Sequence, residues 1–113
     1  MKQFRLGRTE LMVSEIGFGG IPIIPLSMEE GAAVVRHCFD RGITFFDTAN
    51  AYSDSEKKVG LALEDVRDQV FIATKTGRRD AEGADQHIQF SLEIPELLQE
   101  NLKSFREFVA LHP

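Results

Sequence analysis

The chain has 113 residues, 42% of them hydrophobic and 27% charged, with a formal net charge of −5 and a pI near 5.1. This is an ordinary globular balance; its acidity excludes the basic surface on which non-specific nucleic-acid binding rests, and no apolar run approaches the roughly 18 residues of a membrane span. Arg5 and Arg8 are followed by Ser14 and Glu15 instead of a continuous apolar stretch, so the amino terminus lacks a signal-peptide layout and the cytoplasm is the expected compartment.

In chain order, Glu15 to Gly19 predicts a first strand. Gly19-Gly20, Pro22 and Pro25 then hold an irregular loop up to Ser27, which with Glu30 three residues on forms a capping box and starts a helix. Ala32, Val35, Cys38 and Phe39 recur at helical spacing until Gly42 stops the run. Cys38 is the only cysteine; in that stripe it is expected to be a buried, inert thiol. Ile43 to Phe46 reads as a buried strand. A second box, Ser53 with Glu56, predicts a helix that turns Val59, Ala62 and Leu63 inward, and Val70 to Thr74 predicts the third strand. Strand starts near 15, 44 and 70 repeat at about the length of a βαβ unit, so the sheet should be parallel with right-handed crossovers. Gly77-Arg78-Arg79-Asp80 is then a loop at the strand's carboxyl end, before a helix with Ile88 and Leu92 on one face. From Ile94 the alternation is lost: Pro95 suits a helix start, and Leu98, Leu102, Phe105 and Val109 keep a helical stripe. Two units are therefore expected, 1–92 with strand-helix alternation and 93–113 as a helical tail.

Three polar residues fall at the ends of the predicted strands: Asp47 after Ile43–Phe46, Tyr52 in the loop that follows, and Lys75 after Val70–Thr74. A free phenol has a pKa of about 10 and is a poor acid near neutrality. An adjacent ammonium favours the phenolate, and a carboxylate beside the amine keeps it charged and aimed. Grouped, the three make a proton-transfer site.

The pattern Asp47-Thr48-Ala49, Tyr52, Ser55-Glu56 and Val59-Gly60, followed by Ile72-Ala73-Thr74-Lys75, resembles the aldo-keto reductase superfamily. Phe4–Thr9 and Val13–Gly20 are similar to that family's floor-plugging hairpin and first barrel strand, so the resemblance covers about residues 1–92. It implies an α/β fold, part of a (β/α)8 TIM barrel: an N-terminal hairpin, about three parallel strand-helix units and a C-terminal helix. It also implies NADPH-dependent reduction of an aldehyde or ketone, with Tyr52 protonating the forming alkoxide. Asp47 and Lys75 would tune Tyr52, and Asp47 and Thr48 would lie at the cofactor. The family's catalytic histidine ends its next strand; after Leu92 the corresponding candidate is His112, at the end of a stretch that reads as helix.

A complete barrel takes about 250 residues, so the chain reads as a fragment or an internally shortened relative, with the tail brought next to Leu92 by a deletion. The alternative is a non-catalytic partial barrel that persists by self-association or with a complementing chain, because open parallel edges expose unpaired backbone groups. The half of the barrel that grips the adenosine end of NADPH is missing, so the resemblance implies weak affinity for the isolated chain. His37 and His87 read as ordinary helix-face residues, Gly19-Gly20 as a loop lining the pocket floor, and Arg78-Arg79 as a solvated pair or an anion contact. One cysteine and three scattered histidines lack metal-ligand spacing, and no metal is expected.

Overall fold

Strand and helix alternate through residues 1–83, which are the residues described by the computed structural model. The expected helix at Ile88 and Leu92, the 93–113 tail, His87 and His112 lie outside the described residues. A hairpin comes first: β1 (Gln3–Arg5) pairs antiparallel with β2 (Met12–Ser14), Phe4 opposite Val13. A parallel sheet follows, ordered β3 (Phe18–Gly19), β4 (Phe45–Asp47) and β5 (Phe71–Ala73), with Phe18 opposite Phe46 and Asp47 opposite Ala73. Helix α1 (Met28–Asp40) joins β3 to β4; α2 (Ser55–Leu63) and a 3₁₀ segment (Glu64–Gln69) join β4 to β5.

The first strand is shorter than Glu15–Gly19 because the chain bends on leaving the hairpin. The Ser14 hydroxyl donates to the Ile16 carbonyl at 2.6 Å, and Ser14 and Thr44 exchange two bonds, each backbone N–H donating to the other's hydroxyl at 3.0 and 2.9 Å. The hairpin is thereby fastened to the residue that precedes β4, at the amino-terminal end of the sheet.

Helix α1 begins as its sequence requires. Glu30 N–H donates to Ser27 Oγ and Ser27 N–H donates to Glu30 Oε2, both at 3.1 Å, which satisfies two otherwise unpaired donors. At its other end Gly42 takes φ +103, a left-handed conformation open to glycine, and its N–H bonds the Phe39 carbonyl at 2.8 Å.

Residues alternate across a strand, so Phe46 and Ile72 face the helices while Phe45, Asp47 and Phe71 face the other way. The core lies between sheet and helices: Val35, Phe46, Val59 and Leu63 are fully buried, with Ile23, Ala32, Ala62, Val66 and Val70, and Phe39, Cys38 and Ile43 pack against them. Cys38 is half-buried and not buried as expected, because its side chain lies at the edge of the core, and desolvation there raises its thiol pKa. Arg36 fastens α1 to the segment after α2 through Asp65 at 2.6 Å. No helix among the described residues is long and apolar enough to cross a membrane.

Candidate active site

The parallel ladder continues beyond the strand ends. Thr48 N–H donates to the Ala73 carbonyl at 2.8 Å and Asn50 N–H to the Lys75 carbonyl at 3.0 Å, so the segment after β4 runs beside the segment after β5. This brings Asp47 and Lys75 together although 28 positions separate them. Lys75 Nζ donates to Asp47 Oδ1 at 2.6 Å and to the Thr48 carbonyl at 2.8 Å. The same ammonium lies 5.2 Å from the centroid of the Tyr52 ring, within cation–π range. The loop carrying Tyr52 is held on both sides: Tyr52 N–H donates to the Ala49 carbonyl and Ser55 N–H to the Tyr52 carbonyl, each at 3.0 Å.

The structure thus gathers the acid, phenol and amine that the sequence placed at strand ends. Both ends of the ion pair are about half-exposed, at 46% for Asp47 and 50% for Lys75, so the group sits at an open surface. The Lys75 pKa is raised, first by the hydrogen bond to Asp47; desolvation opposes this, and the Asp47 charge and the Tyr52 phenol add to it. The ammonium is kept charged, which is the state that can stabilise a phenolate.

Thr48 sits inside. It is fully buried and its hydroxyl lies 2.9 Å from Ser55 Oγ, so what it offers the open site is its backbone carbonyl, which accepts from Lys75. Ser55 Oγ in turn donates to the Gly20 carbonyl at 2.8 Å, and Gly20 N–H donates to the Asp47 carbonyl at 2.8 Å. Gly20 is required here by close approach: a Cβ would lie 2.5 Å from Ser55 Oγ and 3.0 Å from the Asp47 carbonyl oxygen.

The expected Ser53–Glu56 capping box does not form. Ser53 adopts φ +53 and lies outside the helix, whose cap is Asp54 without a side-chain cap bond. Glu56 is 5% exposed and accepts from the Thr74 hydroxyl at 2.5 Å. A tertiary partner just past the end of β5 has taken the carboxylate that the box would use.

Lys58 is the functional-end residue that sequence reading missed. It is fully buried, and its ammonium donates to the carbonyls of Ile23 and Ile24 at 3.0 and 3.2 Å and to Asp54 at 2.7 Å. It therefore ties the β3–α1 loop to the start of α2, and it lowers the Asp54 pKa. The signal was its register: Lys58 is three residues after Ser55 and four before Ala62, on the inward stripe of α2. His37 is exposed on α1, as an ordinary helix-face residue. Arg78 pairs with Asp80 at 3.6 Å in the loop after β5. Among the described residues no group of three or more His, Cys, Asp or Glu side chains could hold a metal ion.

The hairpin followed by parallel strand-helix units defines a class of fold, and the comparisons agree with that fold. The sequence profile of the aldo/keto reductase family matches residues 15–108, past the 92/93 boundary read from the alternation. The chain belongs to the aldo/keto reductase family. It is 37% identical over 97 residues to "Probable aldo-keto reductase 1" of Glycine max, with 79% of this chain and 28% of that protein covered. It is 42% identical over 82 residues to L-galactose dehydrogenase of Arabidopsis thaliana, at 65% and 26%. An aldo-keto reductase from Bacillus halodurans, solved in its holo form, superposes with a TM-score of 0.64 at 34% identity, over 74% of this chain and 28% of that one. The partial-barrel fold is that of these neighbours, and the chain spans about a quarter of the length of the relatives it matches.

Proposed function

We propose that the chain supplies the proton-donating part of a reductase site that converts an aldehyde or ketone to an alcohol with NADPH. The observation that carries this reading is the position of Lys75: one ammonium bonded to Asp47 and lying over the Tyr52 ring. The cofactor would supply the hydride. Tyr52 would give its hydroxyl proton to the oxygen that becomes the alkoxide, with Lys75 offsetting the charge left on the phenol. Asp47 holds Lys75 charged, and being half-exposed it has carboxylate surface left for a ribose hydroxyl. The donor set therefore fits the nicotinamide-ribose end of a dinucleotide. Thr48 would act from within, through the carbonyl that fixes Lys75. The compartment that suits this chemistry and composition is the cytoplasm.

A second reading is favoured by the sheet itself. β3 and β5 each pair only with β4 among the described residues, which leaves two open edges. On that reading the chain is a non-catalytic partial barrel that persists by self-association or with a complementing chain. One experiment separates the two: titration of NADPH by its own fluorescence into a fraction of known solution mass, a clean signal because the chain has no tryptophan, followed by turnover of a generic aldehyde. Saturable binding with turnover abolished in Tyr52→Phe is the expected result. Turnover that survives Tyr52→Phe refutes the role of Tyr52, and absence of binding at millimolar cofactor leaves the non-catalytic reading.

A further inference from the structure

We propose that Glu56 is a positioning residue for the Lys75–Asp47 pair, acting through the Thr74 hydroxyl. The catalytic consequence rests on the reductase reading above; the positioning itself does not.

The start of α2 breaks a local rule. A glutamate in the first turn of a helix is at home reaching back to the cap, and the Ser53-x-x-Glu56 spacing offers that bond. The chain forgoes it, with Ser53 turned to φ +53 and no side chain bonding the α2 cap. Departures of this kind concentrate where function imposes its own geometry. The carboxylate is instead buried, which costs several kcal/mol, roughly, unless it is bonded, and its hydrogen bond is to Thr74 at 2.5 Å, short even for a hydroxyl on a carboxylate.

Thr74 and Lys75 are consecutive, and their side chains reach opposite partners. Thr74 points to α2; Lys75 points to Asp47 and Tyr52. The backbone on either side is fixed by Thr48 N–H to the Ala73 carbonyl and Asn50 N–H to the Lys75 carbonyl. Those two bonds hold the edge of the segment that faces the residues after β4; neither reaches the Thr74 side chain. The Thr74–Glu56 bond is the lever on the face opposite Lys75, and together with the Thr48 carbonyl, which accepts from Lys75 Nζ at 2.8 Å, it keeps that ammonium on Asp47. Glu56 is itself anchored, since its neighbour Ser55 bonds the Gly20 carbonyl and lies 2.9 Å from Thr48 Oγ1. The groups that raise the Lys75 pKa are Asp47 and Tyr52, and the path from Glu56 to Lys75 runs through the Thr74 bond.

The test is a side-chain NMR titration of Lys75 in the full chain. Three variants are compared with the parent: Thr74→Val, which keeps the shape and removes the donor; Glu56→Ala; and Glu56→Gln, which keeps an acceptor. Loss of the lever should lower the Lys75 midpoint by about 0.5 pH unit in Thr74→Val and Glu56→Ala alike, as an Asp47 contact is weakened, and Glu56→Gln should restore the parental value. The double variant should shift no further than either single one, because both act through one bond. If Thr74→Val and Glu56→Ala lower the urea midpoint while the Lys75 titration stays put, Glu56 is merely structural and the proposal is overturned. Thr74→Val carries the test where Glu56→Ala does not fold. The readout needs no turnover: a chain that shows the Lys75 shifts but no Tyr52-dependent reduction would overturn the reductase reading and leave the positioning intact.

Discussion

Gly31→Ala should change sign with its background. In an exposed helix the substitution stabilises by about 1 kcal/mol, but the Cβ added at position 31 of α1 would lie 2.6 Å from Lys58 Cδ and 3.1 Å from Cγ and Cε. Ordinary carbon contacts are about 3.5–4.0 Å, so the lysine stem must retreat by roughly 1 Å. A surface lysine would do so freely; Lys58 is held at both ends, by its own place in α2 and by three acceptors on its ammonium at 3.0, 3.2 and 2.7 Å. Retreat sacrifices at least one of these bonds, worth about 1.5–3 kcal/mol each when the donor is charged. The net expectation is destabilisation of about 0.5–2 kcal/mol after the helix gain of ~1 is subtracted. With a urea m-value of about 1–3 kcal/mol/M this lowers the unfolding midpoint by roughly 0.2–2 M.

In a Lys58→Met background the stem is no longer pinned and can rotate aside. There Gly31→Ala should raise the midpoint, by the helix-propensity gain of about 1 kcal/mol. The difference between the two effects is a coupling of about 1.5–3 kcal/mol, in the upper part of the range for a pair in contact. Urea unfolding followed by far-UV circular dichroism on the four proteins measures it. An equal rise in midpoint with and without Lys58 would refute the argument, because it would mean that the buried lysine is not held where its three bonds place it.

Two further changes bear on the site. Gly20→Ala puts a Cβ against Ser55 Oγ and the Asp47 carbonyl oxygen, at 2.5 and 3.0 Å; backbone cannot swing away as a side-chain tip does, so destabilisation of about 1–3 kcal/mol should accompany a fall in any Tyr52-dependent turnover, checked by urea unfolding and the NADPH assay. Asp47→Asn should lower the Lys75 midpoint by NMR, since the bond to Asp47 is the leading cause that raises it. The sign follows: a lysine raised in the folded state adds stability that is complete below its unfolded pKa and is lost as pH climbs through the folded one. The parent should therefore lose a small increment at strongly alkaline pH that the variant never had, under about 1 kcal/mol for so exposed a pair.

What the sequence made legible was whatever depends on neighbours along the chain. The Ser27–Glu30 box, the stop at Gly42 and the Ala32, Val35, Phe39 stripe are short-range facts and appear as read. The Asp47, Tyr52 and Lys75 grouping was legible because parallel strands of a βαβ unit must end side by side. The Ser53–Glu56 box failed for the complementary reason: its competitor, Thr74, is 18 residues away, and nothing local announces it. Lys58 escaped because lysine is almost never fully buried unless paired, and two of its acceptors are backbone carbonyls of a loop that composition cannot place.

These misses share one location, the first turn of α2, and there is a physical reason for the concentration. Beyond the strand ends the ladder thins to single bonds such as Thr48 N–H to the Ala73 carbonyl, and the buried polar groups left there must be paired elsewhere. The helix that returns over this edge meets it with its first turn. Ser55 takes the Gly20 carbonyl and the Thr48 hydroxyl, Glu56 takes Thr74, and Lys58 takes the loop carbonyls of Ile23 and Ile24. One turn later the same helix presents Val59, Ala62 and Leu63 to the apolar core. Apolar packing tolerates small shifts, whereas hydrogen bonds fix direction as well as distance. A helix built this way grips the site end of the sheet by geometry and the rest by burial, which is the division that holding Lys75 within hydrogen-bond reach of Asp47 and over Tyr52 requires.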